Sequence, residues 1–156
     1  MRRTAGVIWW PRCSGVVDPV RLARLLQRLG EQLAILRERA AEDRAALRAD
    51  EARLSGTKYR FVTGIEAVLD IAHHLLASEL WGPAEDSADA VRLLGRHGVI
   101  DAELAERLAR ATGFRNVLVH GYAEVDDDRV VAHLDDLDAL ERFSEQVRAW
   151  AADELG

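Results

Sequence analysis

The chain has 156 residues, 49% hydrophobic and 31% charged, with 21 basic against 27 acidic side chains and a formal net charge of -6. That length allows one domain with a full hydrophobic core, and the balance is that of a globular rather than a disordered protein. The acidic excess excludes a broad basic face for coating nucleic acid, and no DNA partner is expected; a local pocket gripping one phosphate remains compatible with it.

Leu, Ala, Arg and Glu dominate while aromatics are sparse, which favours an all-α fold. A single cysteine, Cys13, cannot form an internal disulfide, so a reducing cytoplasm is the expected setting. No apolar run approaches the roughly 20 residues of a membrane span, and the greasy patch in "MRRTAGVIWWP" is too brief for a secretory signal.

Residues 1–17 lack helical periodicity and hold Pro11, Trp9 and Trp10. They are expected to be a tail, whether disordered, a packing arm, or upstream of the true start, because "VVDPVRLARLL" would itself be a natural beginning. The domain is then 18–156. Asp18 followed by Pro19 opens the first helix, an N-cap acid and a first-turn proline. Leu22, Leu26, Leu29, Leu33, Leu36, Ala40 and Leu47 recur at alternating spacings of four and three, predicting one long amphipathic helix to about Leu54. Asp43 and Asp50 fall in the same stripe, which argues against a long two-stranded coiled coil.

The "SGT" at 55–57 predicts a turn, with Thr57 capping a second helix that "WGP" stops near Trp81. Its inward stripe is Phe61, Ile65, Val68, Leu69, Ala72, Leu76 and Leu80. A short third helix runs from about Ser87 to Arg96, with Gly98 as a left-handed cap. Asp101 caps a fourth helix that turns Leu104, Leu108, Ala111 and Leu118 inward and ends near His120 at Gly121. The segment "AEVDDDRVVAHL" reads as a polar turn and a short extended run. Asp135 or Asp136 then opens a last helix through Leu137, Leu140, Phe143, Val147 and Trp150. The sum is a bundle of about five helices.

Chemistry gathers in "FRNVLVHGYAEVDDDR", residues 114–129. His120 falls in a last helical turn, where unpaired carbonyls favour the protonated form of an acid–base group. Asn116 lies one turn earlier on the same face and can hold the imidazole or touch a substrate. Arg115 carries a planar fork suited to phosphate, but five residues of ideal helix set it about 140° from His120. The two converge only if the helix end unwinds at Gly121, if the guanidinium wraps around, or if a second copy meets the first. By spacing alone the pattern also fits an ordinary helix end with a polar rim.

On the second helix Glu66, Asp70, His73 and His74 form a polar stripe. Facing the fourth helix, Glu66 or Asp70 would pair with Arg115; facing outward, the stripe is simply solvated. No familiar zinc spacing appears, and no metal site is expected. The acidic run Glu124, Asp126, Asp127 and Asp128 reads as a solvated turn, with docking of a protein or a magnesium-bound nucleotide as the alternatives.

"RNVLVHGY" matches the R-x4-H-x-Y signature of the HEPN superfamily, and the chain from about residue 18 to 153 resembles the HepT-like ribonuclease toxins. The segments "IEAVLDIAHHLLASELWGP" and "AVRLLGRHGVIDAELAERLARATGFRNVLVHGY" match in order and length, and "AEVDDDRVVAHLDDLDALERFSEQVRAW" continues them. The resemblance implies a HEPN-type helical homodimer whose two motifs face each other across a cleft. It implies a metal-independent, cofactor-free endoribonuclease acting on transfer or messenger RNA and leaving a cyclic phosphate. Arg115 and His120 would carry cleavage, with Asn116, Glu66 and Asp70 in support. It further implies an MntA-like nucleotidyltransferase antitoxin that adenylylates Tyr122, a charge-adding modification that repels RNA phosphates. A different class stays open beside it: a non-catalytic HEPN subunit that binds a nucleotidyltransferase through the same cleft.

Overall fold

A computed structural model describes residues 16–121 and 125–156. All regular structure among these residues is helical: α1 (Pro19–Ala40), α2 (Arg44–Ala49), α3 (Glu51–Ser78), α4 (Ser87–Arg96), α5 (Ala102–His120), α6 (Asp127–His133) and α7 (Asp138–Leu155). The all-α expectation holds, but seven helices replace the predicted five.

The first difference lies in the long amino-terminal helix, which does not run unbroken to Leu54. Both aspartates of its stripe act as N-caps. Asp43 accepts from the Ala46 amide at 2.9 Å to start α2, and Asp50 accepts from the Arg53 amide at 3.0 Å to start α3. A short carboxylate competes for backbone amides and is better placed at a helix start than inside one. Leu47 stays fully buried because α2 folds back onto the core. With a cap at Asp50, no turn is needed at "SGT". Thr57 sits inside α3, buried, with its hydroxyl donating to the Arg53 carbonyl at 2.8 Å.

α3 contacts all six other helices and is the hub of the bundle. It is long and apolar enough by composition to span a membrane, at a mean hydropathy of 1.2, contrary to the expectation that no such run exists. Its apolar stretch is 61% buried against the other helices, which marks a core helix. α1 lies along α3, joined at one buried polar point where the Thr63 hydroxyl donates to Gln32 at 2.9 Å. α3 ends at Ser78 rather than Trp81. Leu80 takes a left-handed φ of 55°, and the Trp81 amide reaches back to the Leu76 carbonyl at 3.1 Å. That is a Schellman closure with leucine in the place usually given to glycine. α4 closes in the same way, with Gly98 at φ 75° as expected and the Val99 amide on the Leu94 carbonyl.

The second difference concerns residues 126–137. The run expected to be a turn and extended chain is the helix α6, capped by Asp126 on the Asp128 amide at 2.9 Å, with Val130 and Val131 buried. α7 begins at Asp138, not at Asp135 or Asp136, and has no side-chain cap. Asp136 and Asp138 are instead both engaged by Arg107 of α5. That guanidinium, hydrogen-bonded to the Asp138 carboxylate, holds it down at about 2, and Arg107 itself is raised in turn.

Candidate active site

The candidate site lies on the carboxy-terminal half of α5. Asp101 starts that helix by accepting from the Leu104 amide at 2.8 Å, and Leu104, Leu108 and Leu118 anchor it in the core. The helix stays regular through His120, where the Gly121 amide closes onto the Val117 carbonyl at 2.8 Å. A Cβ at Gly121 would sit 2.9 Å from that carbonyl oxygen, so the glycine is required by close approach rather than by a positive φ.

The structure brings Arg115 and Glu66 together. The Arg115 Nη2 donates to Glu66 Oε1 at 2.9 Å, and Nη1 donates to Asn116 Oδ1 at 2.9 Å. The pair is partly sheltered, with the side chains 25% and 36% exposed, so it is screened less than a surface ion pair. The Arg115 Nε is buried and has no hydrogen-bond partner among the described residues. A buried donor left open costs on the order of 1–3 kcal/mol, and such groups are expected where a ligand supplies the acceptor.

Asp70 is not part of this cluster. One turn further along α3 it faces outward, at 3.6 Å from Arg28 of α1, with both side chains half exposed. His73 is exposed, while His74 is half-buried with an unpartnered Nε2. Among the described residues no group of three or more His, Cys, Asp or Glu is arranged to hold a metal ion. His120 is exposed at the helix end. Tyr122 and Glu124 lie outside the described residues.

The acidic run has structural work. Asp126 caps α6, Asp127 pairs with Lys58 of α3 at 2.7 Å, and Asp128 pairs with Arg48 of α2 at 2.7 Å. These contacts tie α6 to α2 and α3, so residues 126–128 open a helix rather than forming a turn, with the Asp127 and Asp128 side chains still exposed.

Residues of α3, α5, α6 and α7 line a cavity of about 430 Å³, partly open to solvent, that residue spacing alone did not reveal. Phe61, Ile65, Phe114 and Leu140 give it apolar walls. The His133 ring lies 4.0 Å from the Phe114 ring, centroid to centroid, and Phe114 meets Phe61 edge-on at 5.7 Å. Arg107, Arg110 and Arg129 stand at the rim. Burial, and then the nearby Arg129 charge, push the His133 imidazole below the ordinary histidine range. The signal on α5 was visible as Arg107, Arg110, Phe114 and Val117 at spacings of three and four. Its counterpart was hidden, because Arg129 and His133 share a face only once the segment is helical.

An all-helical bundle with a sheltered arginine–carboxylate pair at the end of one helix defines the structural class. The Ribonuclease HepT-like profile matches residues 29–147, and the chain belongs to that family. A relative from Archaeoglobus fulgidus is 40% identical over 87 residues, 56% of this chain and 65% of that one. The mRNA nuclease HepT of Shewanella oneidensis is 34% identical over 88 residues, 54% of this chain and 64% of that one. The matches thus span a little under two thirds of these relatives. Among solved structures, the tri-AMPylated Shewanella oneidensis HEPN toxin in complex with MNT antitoxin superposes with a TM-score of 0.76 at 23% identity, over 82% of this chain and 96% of that one. YutE, a cytosolic protein of unknown function from Bacillus subtilis, superposes at 0.78 and 20% identity, over 90% and 94%. At these identities the superpositions show a shared fold.

Proposed function

We propose that the chain is the toxin of a toxin–antitoxin pair, a metal-independent endoribonuclease working in the cytoplasm as a homodimer. The observation that carries this reading is Arg115, held by Glu66 with its Nε unpartnered, on the helix that ends in His120. Membership of the HepT-like ribonuclease family supports it.

In the proposed reaction a ribose 2′-hydroxyl attacks the adjacent phosphorus. The 2′-oxygen–phosphorus bond forms, the bond from phosphorus to the 5′-oxygen breaks, and a cyclic phosphate and a 5′-hydroxyl result. His120 takes the 2′-hydroxyl proton, and the second copy's imidazole returns one to the leaving oxygen. Arg115 bears on the non-bridging oxygens, where negative charge accumulates, and Asn116 keeps its guanidinium turned toward them. Glu66 restricts the direction of that guanidinium.

The regulation we propose is adenylylation of Tyr122 by an MntA-like nucleotidyltransferase antitoxin. The complex of an AMPylated HEPN toxin with its MNT antitoxin, described for the Shewanella oneidensis protein, supports this. An anionic nucleotide two residues from His120 would repel an incoming phosphodiester.

Unmodified protein is expected to cleave cellular RNA with a chelator present, and His120→Ala to lose that activity with an unchanged melting temperature. Equal inactivity of wild type and variant would overturn the ribonuclease reading and leave a non-catalytic binding subunit. Mass spectrometry after co-expression with the antitoxin tests the regulation: added adenylyl mass is expected on Tyr122, and an unmodified Tyr122 in neutralised protein would refute it.

A further inference from the structure

The arginine-rimmed cavity has no role in the chemistry above, which needs only Arg115, His120 and their supports. Three features give it the character of a ligand site rather than a packing fault. Its volume, about 430 Å³, lies within the range of small-molecule pockets. Its walls are aromatic and partly open to solvent: Phe114 and His133 are half-buried, and Gly113 on the same wall has only open space where a Cβ would stand. Its rim carries Arg107, Arg110 and Arg129 against a single acid, Asp136, in a chain whose net charge is -6. Asp136 shares the Arg107 guanidinium with Asp138, so Arg110 and Arg129 are the cations left to an arriving anion.

An aromatic wall beside guanidinium groups fits one kind of molecule well, a planar base joined to a phosphate. The cavity is also in register with the proposed chemistry. Gly113 and Val117 line it, and His120 follows two turns after Gly113, about 20° around the helix and about 10 Å along it. Phe114 and Ile65 on its walls directly precede Arg115 and Glu66 in the chain.

We infer that this cavity seats one nucleotide of an RNA strand next to the scissile bond, its base against Phe114 and His133 and its phosphate on Arg110 and Arg129. The pocket then selects which base lies beside the cut. This inference rests on the ribonuclease reading for its meaning, but binding can be tested without cleavage.

The probe is a short fluorescent oligoribonucleotide with every 2′-hydroxyl methylated, which removes the nucleophile. Full-length Arg110→Gln and Arg129→Gln are each expected to weaken its binding about three- to tenfold and to lower the salt dependence by about one counterion. Arg24→Gln, an equal charge change on the exposed face of α1, should bind as wild type does. Phe114→Leu keeps an apolar wall and should cost about tenfold for loss of stacking. With cuttable RNA, sequencing of the cleaved ends should show Phe114→Leu blurring the base preference at one position.

Free 5′-mononucleotides are added as competitors to separate the two sources of this chemistry. The inference expects them to displace the strand only weakly, because a lone nucleotide lacks the neighbouring phosphates. Displacement at concentrations well below those of the oligonucleotide would overturn the assignment to RNA in favour of a free nucleotide. Unchanged binding in both arginine variants, or equal weakening by Arg24→Gln, would overturn the pocket altogether. If wild type binds the methylated strand through these residues yet never cuts RNA, the ribonuclease reading fails while the pocket stands. If it cuts RNA with an unaltered pattern in Phe114→Leu, the reverse holds.

Discussion

Replacing Glu66 by glutamine tests whether the sheltered pair serves the site or merely the fold. The substitution keeps the shape and an oxygen acceptor but removes the charge opposite Arg115. The contact is 2.9 Å long with the side chains 25% and 36% exposed, so it lies between a surface pair, worth about 0–1 kcal/mol, and a fully buried one. A loss of about 1 kcal/mol in stability follows, a few degrees in melting temperature for a domain of this size. Activity should suffer more. The guanidinium is freed to leave the direction in which it meets a phosphate, and weakening that interaction by about 1.4 kcal/mol in the transition state is a tenfold fall in kcat/KM. Initial rates on a defined RNA, with thermal melts alongside, separate the two effects. Glu66→Asp should recover part of the rate because the charge returns. Asp70→Asn is the matched control: its partner Arg28 is 3.6 Å away with both side chains half exposed, and neither rate nor melting temperature should move. A Glu66→Gln protein that melts lower but cuts at least as fast as wild type would refute the positioning role. So would an Asp70→Asn protein impaired to the same degree.

Two further substitutions probe the fold. Gly95→Ala would put a Cβ 2.8 Å from the Ala105 Cβ, forcing α4 and α5 apart, whereas Gly30 on α1 has open space around the corresponding position. Overpacking costs about 1–3 kcal/mol and alanine gains up to about 1 kcal/mol in a helix, so urea midpoints should fall for Gly95→Ala and rise for Gly30→Ala; the same sign for both would refute the packing. His133 supplies a pH signature. Burial first, and Arg129 second, lower its folded value, so its contribution to stability is complete above the unfolded value of about 6.5 and is lost as pH falls through the folded one. Melting temperature should therefore decline on the acid side of neutrality, and His133→Phe should flatten that decline; identical curves would show that His133 does not titrate with folding.

Sequence pattern was most informative where one local rule acted alone. Asp18 and Asp101 cap helices, Gly98 closes α4, and the leucine stripes of α1 and α5 are buried as their periods require. It was least informative where a residue had two possible uses. Asp43 and Asp50 fit a continuing helix by position, but their carboxylates are better used on free amides, and α2 results. Asp136 looked like a cap for α7, yet a distant guanidinium takes it. At the site, Glu66 and Asp70 were equivalent by spacing. Only the packing of α3 against α5 turns Glu66 to Arg115 and leaves Asp70 to Arg28. The cavity needed four helices to assemble, and one of them was not expected to be a helix.

That packing also narrows how Arg115 and His120 can act together. They lie about 140° apart around an ideal helix, and three routes to convergence were open. α5 remains helical through His120, which closes the route by unwinding up to that residue. Wrapping of the side chain is partial: Nη1 reaches Asn116, the next residue round the helix, while Nη2 is held back by Glu66 on the other flank. The guanidinium thus stops between the two flanks. On an ideal helix Val119 and Asn116 fall between Arg115 and His120, and Val117, which is 48% exposed, lies next round the helix, about 60° beyond His120. A second copy laid against this face would cover Val117 and bring two α5 ends together, so that each histidine approaches a phosphate gripped from the other side. The proposed dimer is compatible with this helix geometry, because one regular helix presents the two proposed catalytic groups to different sides and a symmetric pair can turn them toward one substrate.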